Sequence, residues 1–193
     1  MKSILRLYRL PGIHVIYGPP GSCKTRFSIF TGRLIAGTSP LLYAGLGRHS
    51  IISPEESEEI KVVRIQNLKS EISFLLSLEK LSGNFGSLVY DGFSIYFLPL
   101  RFYMRETSIS KLQLFAASKL HEFSQRRSIP LIVTAQEISG RKPLAYKILR
   151  RFSRDFTRLE KVDEKIVVHV YDRNLYEKFT ESVHGCFEEK ASR

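Results

Sequence analysis

The sequence predicts an α/β fold: a mostly parallel, twisted sheet covered by helices on both faces, with an antiparallel hairpin near the carboxyl end. Two observations predict it. Short apolar runs alternate with longer amphipathic segments, which is the pattern of strands joined by crossover helices. The first apolar run also leads directly into a glycine- and proline-rich turn that opens a helix. The length favours a single domain over residues 1–193.

Apolar runs predict the strands, at residues 10–17, 41–46, 61–65, 87–91 and 130–136 and in a hairpin of 156–162 with 165–171. Amphipathic spacing and capping residues predict helices over residues 24–36, from about 53, over 67–81 and over 110–127. Residues 139–154 are predicted to form a helix with a cationic outer stripe. Residues 94–107 fit neither pattern, and residues from about 173 are expected to form a surface helix or a tail.

The turn after the first strand matches the phosphate-binding pattern G-x-x-x-x-G-K-[ST] at all positions but one. In such a loop the backbone N–H groups surround phosphate oxygens, and the positive end of the next helix adds to the attraction. Lys24 would reach the outer phosphates, and the Thr25 hydroxyl would bind Mg²⁺. An ordinary turn is the alternative. The predicted nucleotide-binding residues are Gly18, Pro19, Pro20, Gly21, Ser22, Cys23, Lys24 and Thr25.

The one departure from the pattern is Cys23, which stands where the pattern has glycine just before the lysine. At that position the backbone passes closest to the phosphates, so we expect an added side chain to crowd them. The sequence therefore predicts a recognisable but impaired loop, with weak nucleotide binding.

A second short motif is the apolar run at residues 87–91, which ends in Asp91. An aspartate at the carboxyl end of a parallel strand lies at the edge where ligands bind in such sheets. There it would hold Mg²⁺ or a water bound to the ion. The alternative is an aspartate that only begins a turn or a helix.

The formal net charge of +11 indicates a polyanionic partner, most simply nucleic acid. The alternatives are a charge that only keeps the protein in solution or an acidic protein partner. The charge is dense in the segment 139–154, whose cations would contact a nucleic-acid backbone or, alternatively, only face solvent. The predicted DNA-binding residues are Arg141, Lys142, Lys147, Arg150, Arg151 and Arg154.

Two cysteines, Cys23 and Cys186, make no disulfide framework, and we expect both to be reduced in a cytoplasmic protein. No apolar run approaches the length of a membrane span, and the first ten residues lack a signal-peptide core. The sequence therefore predicts no membrane partner.

Three stretches together resemble the RecA/RadA recombinase superfamily, in particular the short archaeal paralogues known as RadB and RadC-like proteins. They are residues 10–21, 131–136 and 168–172, and the likeness covers roughly residues 10–173. The resemblance implies a RecA-like P-loop core that binds ATP with Mg²⁺ and acts in homologous recombination and DNA repair. It also implies that Gln136 senses the nucleotide and couples it to DNA loops at about 94–107 and 137–154. Single-stranded DNA and a full-length recombinase or another paralogue subunit are the implied partners.

Two departures from the family change the expected activity. The family has an acidic residue just after its second strand to activate the attacking water, and residues 44–53 contain none. The chain also begins directly at the core, so we expect no helical N-terminal DNA-binding domain. The missing carboxylate, together with Cys23, points to slow or absent ATP hydrolysis, and the missing domain points to an accessory protein. The alternatives are a small P-loop kinase acting on a small molecule, or a non-catalytic partner subunit with a vestigial nucleotide site.

Overall fold

The computed structural model describes residues 2–47, 57–138 and 141–184, and its strands form one continuous sheet. The helices are α1 (Lys2–Tyr8), α2 (Lys24–Ala36), α3 (Leu68–Ser77), α4 (Glu106–Arg127) and α5 (Tyr146–Leu149), with a 3₁₀ turn at Pro99–Phe102. The strands are β1 (Gly12–Gly18), β2 (Leu41–Leu46), β3 (Ile60–Ile65), β4 (Ser87–Asp91), β5 (Pro130–Ile138), β6 (Lys142–Pro143), β7 (Ser153–Val162), β8 (Lys165–Asp172) and β9 (Glu177–His184).

The strand order is β3-β2-β4-β5-β1-β7-β8-β9, and β6 pairs with the end of β5. In this order the six strands β3, β2, β4, β5, β1 and β7 are parallel to one another. β6 is antiparallel to β5, β8 is antiparallel to β7, and β9 is antiparallel to β8. β1 therefore lies between two parallel neighbours, and all seven of its residues are buried. A strand buried on both faces needs an almost continuous apolar sequence, which explains the run that leads into the phosphate loop.

Helices cover both faces of the sheet, as the sequence predicts. On one face α3, α4 and α5 pack against Val15, Tyr90 and Val133. On the other face α1 and α2 pack against Ile16 and Val89. Alternate residues of one strand supply the two cores because successive side chains point to opposite faces. No helix within the described residues is long and apolar enough to cross a bilayer.

The helix predicted over residues 139–154 is wrong. The described part of this segment contains the two-residue strand β6, the single turn α5 and then β7, which begins at Ser153. Arg154 is therefore a strand residue. The helical spacing of the cations misled the prediction, because β7 has to begin there to pair with Ile13 of β1.

The expectation of a helix or tail from residue 173 is also wrong, since β9 adds a third antiparallel strand beside β8. Phe179 and Val183 of β9 pack against the α1/α2 core, which gives this strand an apolar face. The amino-terminal helix α1 was not predicted, although it buries Ile4 and Tyr8 completely. The helix predicted from about residue 53 lies largely outside the described residues.

Candidate nucleotide site and basic segment

The phosphate loop follows the carboxyl end of β1 and opens α2, as predicted. The Lys24 ammonium turns back into this loop and donates hydrogen bonds to the carbonyl oxygens of Gly18, at 2.9 Å, and Pro19, at 2.8 Å. Partial burial lowers the pKa of Lys24, while the charges of Asp91 and Glu137 act in the opposite direction. The lysine is thus a partly desolvated cation at the point where a phosphate group would enter.

At Gly18 the loop passes so close to β7 that there is no room for a side chain. A Cβ atom at this position would lie 2.3 Å from the Leu159 carbonyl oxygen and 2.7 Å from Ser22 Oγ, and φ is +158°. The first glycine of the pattern is therefore required by the packing of the loop against β7.

Cys23 lies in the left-handed region, with φ 61° and ψ 24°, at the residue before α2. Glycine adopts this conformation freely, whereas a residue with a Cβ atom is strained there by about 1 kcal/mol or more. The side chain packs partly against the α1/α2 core, and Sγ lies 3.8 Å from the Gly21 carbonyl oxygen. The structure thus adds a backbone reason for the glycine of the pattern, beside the crowding predicted from the sequence.

Asp91 ends β4 directly beside the phosphate loop. Its Oδ2 accepts hydrogen bonds from the hydroxyl groups of Thr25, at 2.9 Å, and Tyr43, at 2.8 Å. Its Oδ1 accepts one from Thr134 on β5, whose Cα is the register partner of Asp91. The two residues predicted to hold Mg²⁺, Thr25 and Asp91, are therefore in direct contact. Hydroxyl and carboxylate oxygens are the donors that Mg²⁺ prefers, so this pair fits the ion.

Tyr43 reaches Asp91 because Gly45 leaves room for its ring. A Cβ atom on Gly45 would lie 2.8 Å from Tyr43 Cε1. The sequence did not point to Tyr43 or Thr134 as parts of the site. The available signal for Thr134 was a hydroxyl residue inside the apolar run of β5.

Gln136 lies at the carboxyl end of β5, opposite Gly18 of the phosphate loop in the β1–β5 register. Its side chain is exposed, and its carbonyl oxygen accepts a hydrogen bond from the Leu144 N–H at 2.7 Å. The strand that carries the predicted sensor is thereby hydrogen-bonded to the segment 139–154 that follows it, which we call the basic segment.

The next residue, Glu137, forms an ion pair with Arg158 of β7, with 2.8 Å between Oε2 and Nε. Arg158 is only 5% exposed and also pairs with Glu160. These three residues, which sequence reasoning missed, join the carboxyl ends of β5 and β7 on either side of β1. The available signal was Arg158 itself, which stands between Phe156 and Leu159 in the predicted hairpin strand.

The six predicted DNA-binding cations are all exposed, but they do not form one stripe. Arg141 and Lys142 lie at the carboxyl edge of the sheet, beside the end of β5. Lys142 Nζ and the guanidinium carbon of Arg150 each lie 6.0 Å from the centroid of the Tyr146 ring. Lys147 lies on α5, and Arg151 follows in the turn before β7. Arg154 lies at the opposite, amino edge, where it donates a hydrogen bond to the Pro11 carbonyl oxygen.

An aromatic loop, defined here as residues 92–105, follows Asp91 and includes most of the segment 94–107 that the sequence left unassigned. Phe102 and Tyr103 are each 86% exposed, which is unusual for large apolar side chains. Arg101 and Arg105 flank them and are also exposed. This loop and the basic segment both follow strands that end beside the phosphate loop.

A mostly parallel sheet with a central phosphate loop, an aspartate at the end of β4 and the antiparallel strands β7, β8 and β9 together define a RecA-like α/β fold. Among solved structures, the chain is similar to the one described as the crystal structure of the RadB recombinase. The match has a TM-score of 0.68 at 17% identity and covers 92% of this chain and 88% of the other. No protein-family model matches the sequence, and no curated protein matches it.

Proposed function

We propose that this protein is a recombinase paralogue that assists homologous recombination and DNA repair. It would bind single-stranded DNA through the basic segment and hold ATP with Mg²⁺ weakly, with slow or absent hydrolysis. The observation that carries the proposal is the position of Gln136: the same strand end lies opposite the phosphate loop and is bonded to the basic segment. The similarity in fold to the RadB recombinase supports it.

The arrangement of the loop supports the nucleotide part of the proposal. The loop amides and Lys24 would hold the phosphates, and Thr25 with Asp91 would hold Mg²⁺, which neutralises charge on the phosphates when bound. Before a phosphate could bind in the loop, the Lys24 ammonium would have to release its hydrogen bonds to the Gly18 and Pro19 carbonyl oxygens and contact the phosphate instead. This exchange, and the crowding of the phosphates that we expect from the Cys23 side chain, both reduce the net gain from binding.

Slow hydrolysis is supported by the contacts that the two carboxylates near Lys24 already make. Asp91 accepts bonds from three hydroxyl groups, and Glu137 is paired with Arg158. A general base needs a carboxylate oxygen within reach of the attacking water. Both groups are held in other contacts, and the sequence after β2 offers no carboxylate through residue 53.

The nucleotide part is tested by thermal melting with and without ATP-Mg²⁺, comparing the wild type with Cys23→Gly. A ligand that binds only the folded protein raises the melting temperature by mass action. We expect a small shift in the wild type and a larger one in Cys23→Gly, and none in either background when Lys24→Ala is added. If Lys24→Ala changed neither the ATP-dependent shift nor DNA binding, the site would be vestigial and the protein a structural partner subunit.

The DNA part is tested by titrating labelled single-stranded DNA at several salt concentrations. Each phosphate contact contributes a slope of about −0.7 in log K against log salt. We expect Lys142→Gln and Lys147→Gln each to reduce the slope by roughly that amount, and Lys61→Gln, which removes an exposed lysine at the amino end of β3, to leave it unchanged. Binding that is independent of salt would contradict the proposal. Phosphate transfer to a small-molecule acceptor would favour the kinase alternative instead.

A further inference from the structure

Tyr43 of β2 reaches Asp91 from a position that is not directly opposite it in the sheet. In the β2–β4 register Asp91 pairs with Gly45, whereas Tyr43 pairs with Val89. The Tyr43 side chain therefore runs past Gly45, where a Cβ atom would lie 2.8 Å from Cε1 and 3.1 Å from the hydroxyl oxygen. Tyr43 is only 2% exposed, so its hydroxyl contacts Asp91 Oδ2 from inside the protein.

The hydroxyl groups around Asp91 are divided unequally between its two carboxylate oxygens. Oδ2 accepts hydrogen bonds from Thr25, at 2.9 Å, and from Tyr43, at 2.8 Å. Oδ1 accepts one from Thr134. An ionised carboxylate has about four lone-pair sites, which is about two for each oxygen. Two donors therefore already occupy Oδ2, the oxygen that contacts Thr25 at the start of α2.

The donors on the two oxygens affect a metal ion in opposite ways. Thr25 and Asp91 are the pair that fits Mg²⁺, so Oδ2 is the oxygen beside the position of the ion. Thr25 can keep its bond there, because a hydroxyl group donates its hydrogen while its lone pairs bind an ion. The Tyr43 hydroxyl instead occupies the remaining lone pair, so an ion that binds Oδ2 displaces it and leaves it without its charged acceptor.

Thr134 acts on Oδ1, the oxygen that Thr25 does not contact. Its hydroxyl is itself fixed, because Thr134 Oγ1 also accepts a hydrogen bond from the Gly92 N–H at 2.8 Å. A hydrogen bond to the second oxygen of a metal-binding carboxylate holds that carboxylate in the orientation that the ion needs. Thr134 therefore favours metal binding at the same aspartate at which Tyr43 opposes it.

We propose that Tyr43 weakens Mg²⁺ binding at the nucleotide site by competing for Asp91 Oδ2, and that Thr134 positions Asp91 for the ion. These roles concern the same site and therefore rest on the proposed function. The bond that Tyr43 loses goes to a charged group, and such a bond corresponds to about tenfold or more in affinity. Tyr43 is thus a cause of weak nucleotide binding that is independent of Cys23.

The test is thermal melting of the full chain in the Cys23→Gly background, at fixed ATP and increasing Mg²⁺. The measured quantity is the Mg²⁺ concentration that gives half of the full shift in melting temperature. Tyr43→Phe should lower this concentration by about tenfold, because Oδ2 is then open to the ion. Thr134→Val should raise it by about tenfold, because the carboxylate loses its positioning bond. Tyr96→Phe, which removes a hydroxyl bond to the Ile65 carbonyl oxygen, is the matched control and should leave it unchanged.

Each shift is measured from the variant's own melting temperature with ATP and EDTA, so that a change in stability alone does not move the result. An unchanged or higher Mg²⁺ concentration in Tyr43→Phe would overturn the role of Tyr43. An unchanged or lower one in Thr134→Val would overturn that of Thr134. If Thr134→Val does not fold, Tyr43→Phe, which keeps the buried ring, decides the competition for Oδ2.

No shift with ATP-Mg²⁺ in Cys23→Gly would contradict the proposed nucleotide site and not, by itself, the competition for Asp91. Mg²⁺ alone is then titrated against the melting temperature of Cys23→Gly with and without Tyr43→Phe. A response at about tenfold lower Mg²⁺ in Tyr43→Phe would support the competition. The same midpoint in both proteins, or no response in either, would overturn it.

Discussion

At the scale of single residues, Cys23 is the one position at which the phosphate loop departs from its pattern. Its left-handed backbone should make Cys23→Gly more stable without nucleotide, by about 0.5–1 kcal/mol in the free energy of unfolding. Urea denaturation measures this difference. Cys23→Ala is the control, because it removes the thiol and keeps the Cβ atom. An equal gain in Cys23→Ala would show that the thiol, and not the backbone, is responsible.

Glu71 of α3 gives a pH prediction at the same scale. It is completely buried and accepts a hydrogen bond from Tyr90, and burial raises its pKa from 4.5 to about 7. A carboxyl group with a raised pKa binds more protons in the folded protein than in the unfolded one. Its contribution is therefore present below the unfolded pKa and is lost as the pH rises through 7.

Replacing Glu71 with Gln should remove this pH dependence. Between about pH 5 and about pH 8, the unfolding free energy of Glu71→Gln relative to the wild type should rise by up to about 3 kcal/mol. Denaturation at both pH values measures the change. Glu164→Gln, in the exposed turn between β7 and β8, is the matched control and should show no such change. A parallel pH course in Glu71→Gln and wild type would contradict the prediction.

At the scale of elements, α1 is attached to the sheet by the Tyr8 hydroxyl, which donates a hydrogen bond to buried Thr157 of β7. Tyr8→Phe should lower the unfolding free energy by about 1–2 kcal/mol, because Thr157 Oγ1 then loses its donor inside the core. In Tyr8→Phe combined with Thr157→Val the loss should be smaller than the sum of the two single losses. Chemical denaturation of all four proteins measures the coupling, and additive losses would exclude the bond as the attachment.

The sequence predicts the elements whose patterns are local. Apolar runs mark β1, β2, β4 and β5, and Asn67 marks the start of α3, where it accepts a hydrogen bond from the Ser70 N–H. The predictions are wrong where a strand that is distant in sequence determines the secondary structure. The cations of residues 139–154 have helical spacing, yet pairing with β1 makes Arg154 a strand residue. β9 is recognisable only when β8 is known to need a partner on that side.

In the candidate site too, the residues of local motifs could be predicted and those that depend on distant strands could not. Lys24, Thr25 and Asp91 follow from two motifs, and the structure brings Thr25 and Asp91 into contact. Tyr43 and Thr134, which hold Asp91 from neighbouring strands, depend on sheet order and register, and a sequence pattern contains neither. Arg158 is similar, since its partner Glu137 is two strands away across β1.

At the scale of the whole molecule, the net charge of +11 and the aromatic loop predict two separable parts of DNA binding. Charge supplies the part that depends on salt, and stacking of bases on Phe102 and Tyr103 would supply a part that does not. Phe102→Ser with Tyr103→Ser should weaken single-stranded DNA binding by about tenfold or more at every salt concentration, with the salt slope unchanged.

Fluorescence anisotropy across a salt series measures both quantities. Tyr176→Ser is the control for a loss of exposed aromatic surface, because Tyr176 is 73% exposed but lies in the turn before β9. A changed salt slope in the aromatic variant, or an equal loss in Tyr176→Ser, would contradict a stacking role for the loop.

The central position of β1 has a mechanical consequence. The chain from β5 to β7 leaves one neighbour of β1 and returns to the other, so both ends of this connection are hydrogen-bonded to the strand that carries the phosphate loop. Because both of its ends are paired with β1, this connection cannot move outward as a rigid body. If a triphosphate binds in the loop, we therefore expect its effect on the cations between these strands to be a short local adjustment within residues 141–152 of the described chain.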